Sequence, residues 1–201
     1  MKIAQACNAI AAARKQYCPQ APLVATMTAQ FMFDMLGETE RRIDSVPLMG
    51  GAAGLGLGLA LARPDLPVIV VDGDSSLLME LGGLVTVVQN KPSKFIHFVM
   101  NNGVQFNGIT NIPRPGSEAA CDFAAMARAA KYQDARRIDT TDALIAALPE
   151  ILAQNGTTFV ELIVEADDRR IGPATPQPLL PAFQFVRMRQ GVQKLKAVLA
   201  H

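Results

Sequence analysis

The chain has 201 residues, of which 50% are hydrophobic and 5% aromatic, and its formal net charge is +1. This length can bury one substantial core, while the near-neutral charge without a basic cluster argues against nucleic acid as the main partner. No apolar run approaches the length of a membrane span. Three scattered cysteines, Cys7, Cys18 and Cys121, favour reduced thiols in the cytoplasm over a disulfide framework or a zinc site.

The first part of the chain predicts two helices separated by a short strand. Residues 3–16 place apolar side chains at helical spacing and contain no clear signal-peptide core. Residues 23–26 predict a buried strand, and residues 31–36 continue as a helix. Thr28, between the two, would either cap that helix or reach a ligand at the end of the strand, and we favour the cap.

Residues 50–58 are rich in glycine. Gly54, Gly56 and Gly58 suggest a dinucleotide-binding loop, but they precede the next strand instead of following one, so we reject that interpretation. The stretch is better explained as a helix that packs closely through small residues, with another subunit as a candidate neighbour. Those small residues are Gly51, Ala52, Gly54, Gly58 and Ala62.

The central part of the chain predicts a βαβ unit. A fully apolar run ends in the sequence DGDSS at residues 72–76, one helical pattern follows over residues 77–88, and a second apolar run ends in NNG at residues 101–103. Strand, helix and strand at this spacing place both strands parallel. Asp74 and Asn102 therefore lie beyond the C-terminal ends of two strands, along the edge where open α/β sheets bind ligands.

The residue types at this edge suit a metal-bridged diphosphate. Asp74 offers a carboxylate oxygen and Asn102 an amide oxygen, and such hard oxygen ligands suit Mg²⁺. Ser75 and Ser76 lie where the helix should start, and a helix N-terminus favours phosphate. The alternative is that DGDSS is only a capped turn between a strand and a helix.

The paired motif resembles the signature of thiamine-diphosphate (ThDP) enzymes. Gly73-Asp74-Ser75 is followed after twenty-five residues by Asn101-Asn102, as GDG is followed by NN in that family. Residues 49–54 and 60–65 resemble the segment before the motif in 2-oxoacid decarboxylases. The likeness covers roughly residues 22–164 and is to the diphosphate-binding (PP) domain of phosphonopyruvate decarboxylases and the β subunit of sulfopyruvate decarboxylase.

The resemblance implies an α/β fold, a three-layer sandwich with a mainly parallel central sheet and helices on both faces. It implies ThDP and Mg²⁺ as cofactors, with metal ligands Asp74, Asn102 and the carbonyl of Val104. Met49 would support the bent cofactor, or be an ordinary core methionine, and the Pro47 carbonyl would lie near the aminopyrimidine. The implied cofactor-binding residues are Pro47, Met49, Gly50, Gly73, Asp74, Ser75, Ser76, Asn102, Val104 and Gln105.

Four residues at three places depart from the family pattern. Ser75 replaces the last glycine of GDG, and Glu80 replaces an asparagine. Serine should still suit the start of a helix. Gln105-Phe106 replaces an aromatic–glycine pair at the mouth of the site, which leaves the substrate open.

The resemblance also implies a missing catalytic group. In the family, a glutamate from a pyrimidine-binding (Pyr) domain contacts the cofactor, and we find no room for that domain before Pro22. We therefore expect a separate Pyr-domain subunit, a self-associating hetero-oligomer, and a chain that is inactive alone. The resemblance suggests a small anionic 2-oxo acid as substrate. Arg114 would pair with its anionic group or be a solvated loop charge, and we favour the solvated charge.

The rest of the chain predicts a loop at residues 104–116 and further helices and strands up to residue 164. His97 lies in the middle of a strand, where a buried core or interface histidine is the better interpretation. Residues 168–201 form a proline-rich extension with a last helix at 185–199. We expect one PP domain over residues 1–201, with the N-terminal helix 3–16 and this extension attached.

Three functions compete on the sequence alone. The preferred one is the β-type subunit of a ThDP-dependent 2-oxoacid decarboxylase. A second is a subunit of another ThDP enzyme, for carboligation or oxidative decarboxylation, although the chain lacks the cysteines of an iron–sulfur cluster. A third is a non-catalytic module that binds ThDP or a nucleotide.

Overall fold

The computed structural model describes residues 1–45, 48–117, 121–169 and 181–200. The strands are β1 (Leu23–Ala25), β2 (Arg42–Asp44), β3 (Val68–Gly73), β4 (Lys94–Asn101), β5 (Val104–Gln105), β6 (Ile112–Pro113), β7 (Asp134–Ile138) and β8 (Gly156–Ile163). The helices are α1 (Ile3–Tyr17), α2 (Met27–Met35), α3 (Ala52–Ala62), α4 (Asp74–Met79), α5 (Gly83–Gln89), α6 (Phe123–Ala129), α7 (Thr141–Ala153) and α8 (Pro181–Leu199).

A parallel sheet organises the fold, with strand order β2-β1-β3-β4-β8-β7. The strands β3 and β4 are neighbours, and their register places Gly73 beside Met100. Parallel strands present their C-terminal ends at one edge, so the residues that follow β3 and β4 meet there. A separate antiparallel hairpin, β5–β6, rises from that edge.

Helices cover both faces of the sheet because its central strands are apolar on both sides. Ile69, Val71 and Phe98 pack against α1, α2 and α7. Val70 and Phe95 point to the opposite face, where α3, α5, α6 and α8 contribute the core. The structure thus confirms the predicted three-layer α/β sandwich with a mainly parallel sheet.

The expected helix over residues 77–88 is two helices. Helix α4 stops at Met79, where Glu80 leaves the helical conformation with φ −138° and ψ 52°. Helix α5 starts only at Gly83, after Gly82. Consecutive glycines have low helix propensity, which explains the break within an otherwise periodic apolar pattern.

The segment between β1 and α3 also differs from the prediction. Strand β2 was not expected because it is short and charged, but Arg42 and Asp44 are buried as an ion pair with side-chain N···O 3.0 Å. The predicted Thr28 cap is wrong. Helix α2 begins at Met27 with Thr26 as its N-cap, so Thr28 is already helical.

The C-terminal helix α8 packs over the edge strand β2. Its Arg187 is hydrogen-bonded to Asp44 at 2.8 Å and to Asp34, and Leu195 is buried. Near its end, the carbonyl of Leu199 accepts a hydrogen bond from Arg63 at 2.6 Å. Most of the proline-rich stretch before α8, residues 170–180, lies outside the described residues. Among the described helices, none has both the length and the apolar character to cross a bilayer.

Candidate cofactor site

A pocket lies at the C-terminal edge of the sheet, where β1, β3 and β4 end. It brings together most of the residues singled out by the sequence motifs. Its lining includes Met27, Thr28, Met49, Gly73, Asp74, Ser75, Ser76, Asn102, Val104, Gln105, Phe106 and Asn107. Pro47 lies outside the described residues. Gly50 is held beside the pocket through Ser76.

Asp74 is the first residue of α4 and is only 2% exposed. Its Oδ1 accepts a hydrogen bond from the Ser75 N–H at 2.9 Å. Its Oδ2 accepts bonds from the Gly103 N–H at 2.9 Å and from Arg114 Nε at 2.5 Å. Burial raises the pKa of Asp74, while the bonds from Arg114, Gly103 and Ser75 act in the opposite direction.

Asn102 and Val104 complete the oxygen-rich wall of the pocket. The Val104 N–H donates to Asn102 Oδ1 at 3.0 Å, and the Val104 carbonyl accepts from the Ser75 hydroxyl at 3.3 Å. Ser75 therefore joins the end of β3 to the start of the hairpin. The three side-chain and carbonyl oxygens are of the kind that Mg²⁺ prefers.

The donor set fits magnesium better than a transition metal. Across the described residues, no group of three His, Cys, Asp or Glu side chains is placed to hold a metal. One carboxylate with an amide and a carbonyl instead matches Mg²⁺, which commonly keeps water and phosphate oxygens as its remaining ligands. The residues present thus fit Mg²⁺ with a diphosphate.

Ser76 lines the pocket and also makes a hydrogen bond within the protein. Ser76 is 1% exposed, and its hydroxyl accepts a hydrogen bond from the Gly50 N–H at 2.9 Å. Gly50 has φ +88°, and a Cβ there would lie 3.0 Å from Glu80 Cβ. A glycine is required at that turn. Gly73 differs, since a Cβ at Gly73 would meet no atom within 4 Å.

Two residues at the mouth of the pocket have unusual backbone angles, and the hairpin tip beside them is held by hydrogen bonds. Met27 and Phe106, which line it, have positive φ angles of 53° and 52°. Such angles are uncommon for large side chains and often mark functional sites. The tip of the β5–β6 hairpin is held from outside: Asn107 Oδ1 accepts the Asp167 N–H at 2.8 Å, and Asn111 Nδ2 donates to the Asp167 carbonyl at 2.6 Å.

Arg114 is not the solvated loop charge that we favoured. It is 4% exposed, and its guanidinium binds Asp74, donates to Asn101 Oδ1 at 3.1 Å and lies 5.1 Å from the Phe123 ring centroid. It does not line the pocket. This contact was not predictable from the sequence, because two-residue strands joined by a loop with asparagine and glycine carry no clear strand pattern.

A buried polar group lies beneath the pocket. His97 is fully buried, in agreement with the core interpretation, and its Nε2 is 3.6 Å from Asp72 Oδ2. Its ring stacks edge-on against Phe159, with centroids 5.2 Å apart. Tyr132 contacts Phe159 from another side. Desolvation by burial raises the pKa of Tyr132, so its hydroxyl stays neutral.

The chain belongs to the family described as thiamine pyrophosphate enzyme, C-terminal TPP binding domain, which it matches over residues 24–162. This membership confirms the resemblance drawn from the paired motif. It also agrees with the position of Asp74 and Asn102 at the sheet edge.

Two curated relatives illustrate the kinship. Phosphonopyruvate decarboxylase from Streptomyces hygroscopicus is 37% identical over 146 residues, which cover 72% of this chain and 35% of that protein. Sulfopyruvate decarboxylase subunit beta from Methanothermobacter thermautotrophicus is 48% identical over 54 residues, which cover 27% of this chain and 29% of that protein. The chain thus matches about a third of the length of these relatives.

A solved structure gives the same fold. Benzoylformate decarboxylase from Polynucleobacter necessarius superposes with a TM-score of 0.60 and 20% sequence identity, over 81% of this chain and 34% of that one. At this identity the likeness concerns the fold alone.

Proposed function

We propose that the chain is the β-type, PP-domain subunit of a ThDP- and Mg²⁺-dependent 2-oxoacid decarboxylase. The observation that carries the proposal is the wall formed by Asp74, Asn102 and the Val104 carbonyl, in a pocket at the ends of β3 and β4. The names of the curated relatives, phosphonopyruvate and sulfopyruvate decarboxylases, favour decarboxylation of a small anionic 2-oxo acid.

In this proposal the chain holds and orients the cofactor. Asp74, Asn102 and the Val104 carbonyl would hold Mg²⁺, and Gly73 and Ser75 would leave room for the diphosphate beside α4. Met49 and Gln105 contact the remainder of the cofactor. Bound ThDP supplies an electron sink for the carbon that loses carbon dioxide. The side chains that line the pocket would limit the access of water to that carbon.

A second, Pyr-domain subunit would supply the catalytic glutamate. The acidic residues that line the pocket within the described part of the chain are Asp72 and Asp74, and both are engaged by backbone N–H groups. Exposed apolar side chains suit a docking partner: Phe106 lines the pocket, Ile112 pairs with the lining residue Gln105, and Leu48 precedes the lining residue Met49. The designation of two relatives as subunit beta favours such a hetero-oligomer. The free state of all three cysteines favours a cytoplasmic location.

Calorimetric titration with ThDP tests the proposal. We expect the purified chain to bind ThDP in the presence of Mg²⁺ and to lose this binding in EDTA. Asp74→Asn should reduce the affinity by at least about tenfold, because the amide replaces the one carboxylate among the proposed ligands. Asp65→Asn is the control, since Asp65 is an exposed aspartate in the turn that precedes β3.

Equal affinities for the Asp74→Asn variant and the wild-type chain would contradict the proposed metal site. A chain that binds neither ThDP nor inorganic diphosphate with Mg²⁺ would contradict the proposed cofactor role.

A further inference from the structure

A buried arginine neutralises the proposed metal-site carboxylate. The side chains of Arg114 and Asp74 are 3% and 2% exposed, and Arg114 Nε lies 2.5 Å from Asp74 Oδ2. The other guanidinium nitrogens donate to the Pro115 carbonyl at 3.0 Å and to Asn101 Oδ1 at 3.1 Å. All three nitrogens are therefore engaged within the protein, and none faces the pocket as a ligand-binding group.

The β5–β6 hairpin places this arginine. Val104 pairs with Pro113, so Arg114 lies opposite Gly103, and the Arg114 N–H donates to the Gly103 carbonyl at 3.0 Å. The Gly103 N–H in turn donates to Asp74 Oδ2. The Arg114 side chain and the Gly103 N–H, which lie opposite each other, thus both donate to Asp74 Oδ2. Oδ1 carries the single bond from Ser75 and is the less engaged oxygen of the two.

A buried carboxylate needs a compensating charge, because its desolvation is costly. A bound divalent cation would supply that charge, and in this structure Arg114 supplies it. Two cations beside one carboxylate repel each other, so Arg114 and a metal oppose each other electrostatically.

We infer that Arg114 is a resident counter-ion for Asp74, which keeps the metal site assembled in the metal-free chain. Its charge makes folding independent of Mg²⁺, at the expense of affinity for the free metal. The inference rests on the proposed function in one respect, the assignment of the metal to Asp74. Arg114 is a positioning residue in this role, since it acts through Asp74 and not on a substrate.

A double-mutant cycle tests the counter-ion without any cofactor. In EDTA, we expect Arg114→Met to lower Tm by roughly 10 °C, since it leaves a buried carboxylate unpaired. Asp74→Asn should also lower Tm, because it leaves the guanidinium unpaired. The double variant should be more stable than Arg114→Met alone, and Arg114→Lys should lie between Arg114→Met and the wild type.

Addition of Mg²⁺ without ThDP tests the link to the metal. We expect Mg²⁺ to restore most of the Tm lost in Arg114→Met, to change the wild-type Tm little, and to leave the double variant unchanged. Arg137→Met is the matched control. Arg137 is bound to the buried Glu161 at 3.0 Å, so its loss also leaves a buried carboxylate without its guanidinium, although Glu161 keeps hydrogen bonds from Asn101 and Ala124. Mg²⁺ should not restore that Tm.

Additive Tm losses in the cycle would overturn the inference, as would a loss in Arg114→Met that Mg²⁺ cannot restore. If Arg114→Met does not fold, recovery of a folded protein by the added Asp74→Asn change supports the inference, and failure of that recovery overturns it. Failure of the proposed function gives a different result: the coupling between Arg114 and Asp74 is present, but the wild-type chain binds no ThDP with Mg²⁺.

Discussion

Ser76 connects two segments of the site through its buried hydroxyl, which accepts the Gly50 N–H. Ser76→Ala should lower the free energy of unfolding by about 1–3 kcal/mol, because the buried Gly50 N–H loses the acceptor that it has among the described residues. Ser75→Ala is the matched control. It removes the hydroxyl that donates to the Val104 carbonyl at 3.3 Å. A buried carbonyl that lacks one partner costs less stability than a buried N–H without an acceptor. Urea unfolding of both variants measures the difference, and a larger loss in Ser75→Ala would contradict this assignment.

Cys7 provides a pH-dependent test of the core. Desolvation by burial raises the pKa of Cys7 from 9.0 to about 12. The folded state therefore favours the neutral thiol, and its contribution to stability is present below pH 9.0 and is lost as the pH rises towards about 12. Replacement by alanine should flatten the fall in stability over that range. A variant with an unchanged pH profile would contradict the assignment.

The same burial predicts selective chemistry. At about pH 8, an alkylating reagent should modify Cys121, which is half-buried, and leave Cys7 intact until the protein unfolds. Mass spectrometry of native and urea-unfolded samples gives the two patterns. Modification of Cys7 at the rate of Cys121 in the native protein would contradict the structure of α1.

Residue types in the motif were predictable, and their partners were not. Asp74 and Asn102 could be placed because parallel strands end at one edge, whatever the rest of the chain does. Ser76 and Arg114 could not, since their partners lie 26 and 40 residues away and depend on loop conformations. The roles of the individual site residues toward a cofactor stay predictions.

Helix α3 has two kinds of glycine on its two sides. Gly56 is buried against the sheet, where an added Cβ would lie 2.4 Å from Val70 Cγ2 and 3.2 Å from Phe95 Cε2. Gly54 and Gly58 are exposed, and an added Cβ would meet nothing within 4 Å. Of the small residues predicted to pack closely, Ala52 does so in the core of this chain, whereas Gly54 and Gly58 are exposed.

The two kinds of glycine should respond oppositely to alanine. Gly56→Ala should destabilise the chain by about 1–3 kcal/mol through overpacking. Gly54→Ala and Gly58→Ala should stabilise it by about 0.5–1 kcal/mol each, because alanine is the better helix former. Thermal unfolding of the three variants is the measurement. If Gly56→Ala were neutral, α3 could not lie as close to β3 as described.

At the element scale, apolar periodicity predicted most helices and strands but not their interruptions. The break at Glu80 follows from local glycine content together with the contact that the Gly50 turn makes there. Strand β2 escaped prediction because its charged residues are buried only after α2 and α8 bring Asp34 and Arg187 to it. Such pairings are tertiary, and the pattern of the strand alone does not contain them.

At the level of the whole molecule, α8 covers β2, one of the two edge strands of the sheet. Arg187 binds Asp34 and Asp44, and Arg42 binds the same two carboxylates. Burial raises the pKa of Asp34, but hydrogen bonds from Arg187 and Arg42 outweigh burial and lower it overall. The contribution of Asp34 is therefore present above its unfolded pKa of 3.8 and is lost as the pH falls below that value.

Arg187→Ala should loosen α8 from β2. We expect a loss on the order of 1 kcal/mol in unfolding free energy and faster amide exchange in β2, because the edge strand loses part of its cover. Arg189→Ala, at an exposed position of the same helix, is the control. Hydrogen exchange measured by mass spectrometry separates the two, and equal exchange in both variants would contradict the role given to Arg187.

The base and the tip of the β5–β6 hairpin are held by separate sets of contacts. Its paired ends fix Val104 and Arg114 beside Asp74, whereas its tip, residues 106–111, borders the mouth and is fastened independently at Asp167. Under the proposed function, sequence changes or insertions at the tip would alter the mouth of the pocket without moving the oxygens at the base. A change of substrate under that proposed function would then be a local change: Phe106 lies in the tip, whereas Gln105 is paired with Ile112 at the base.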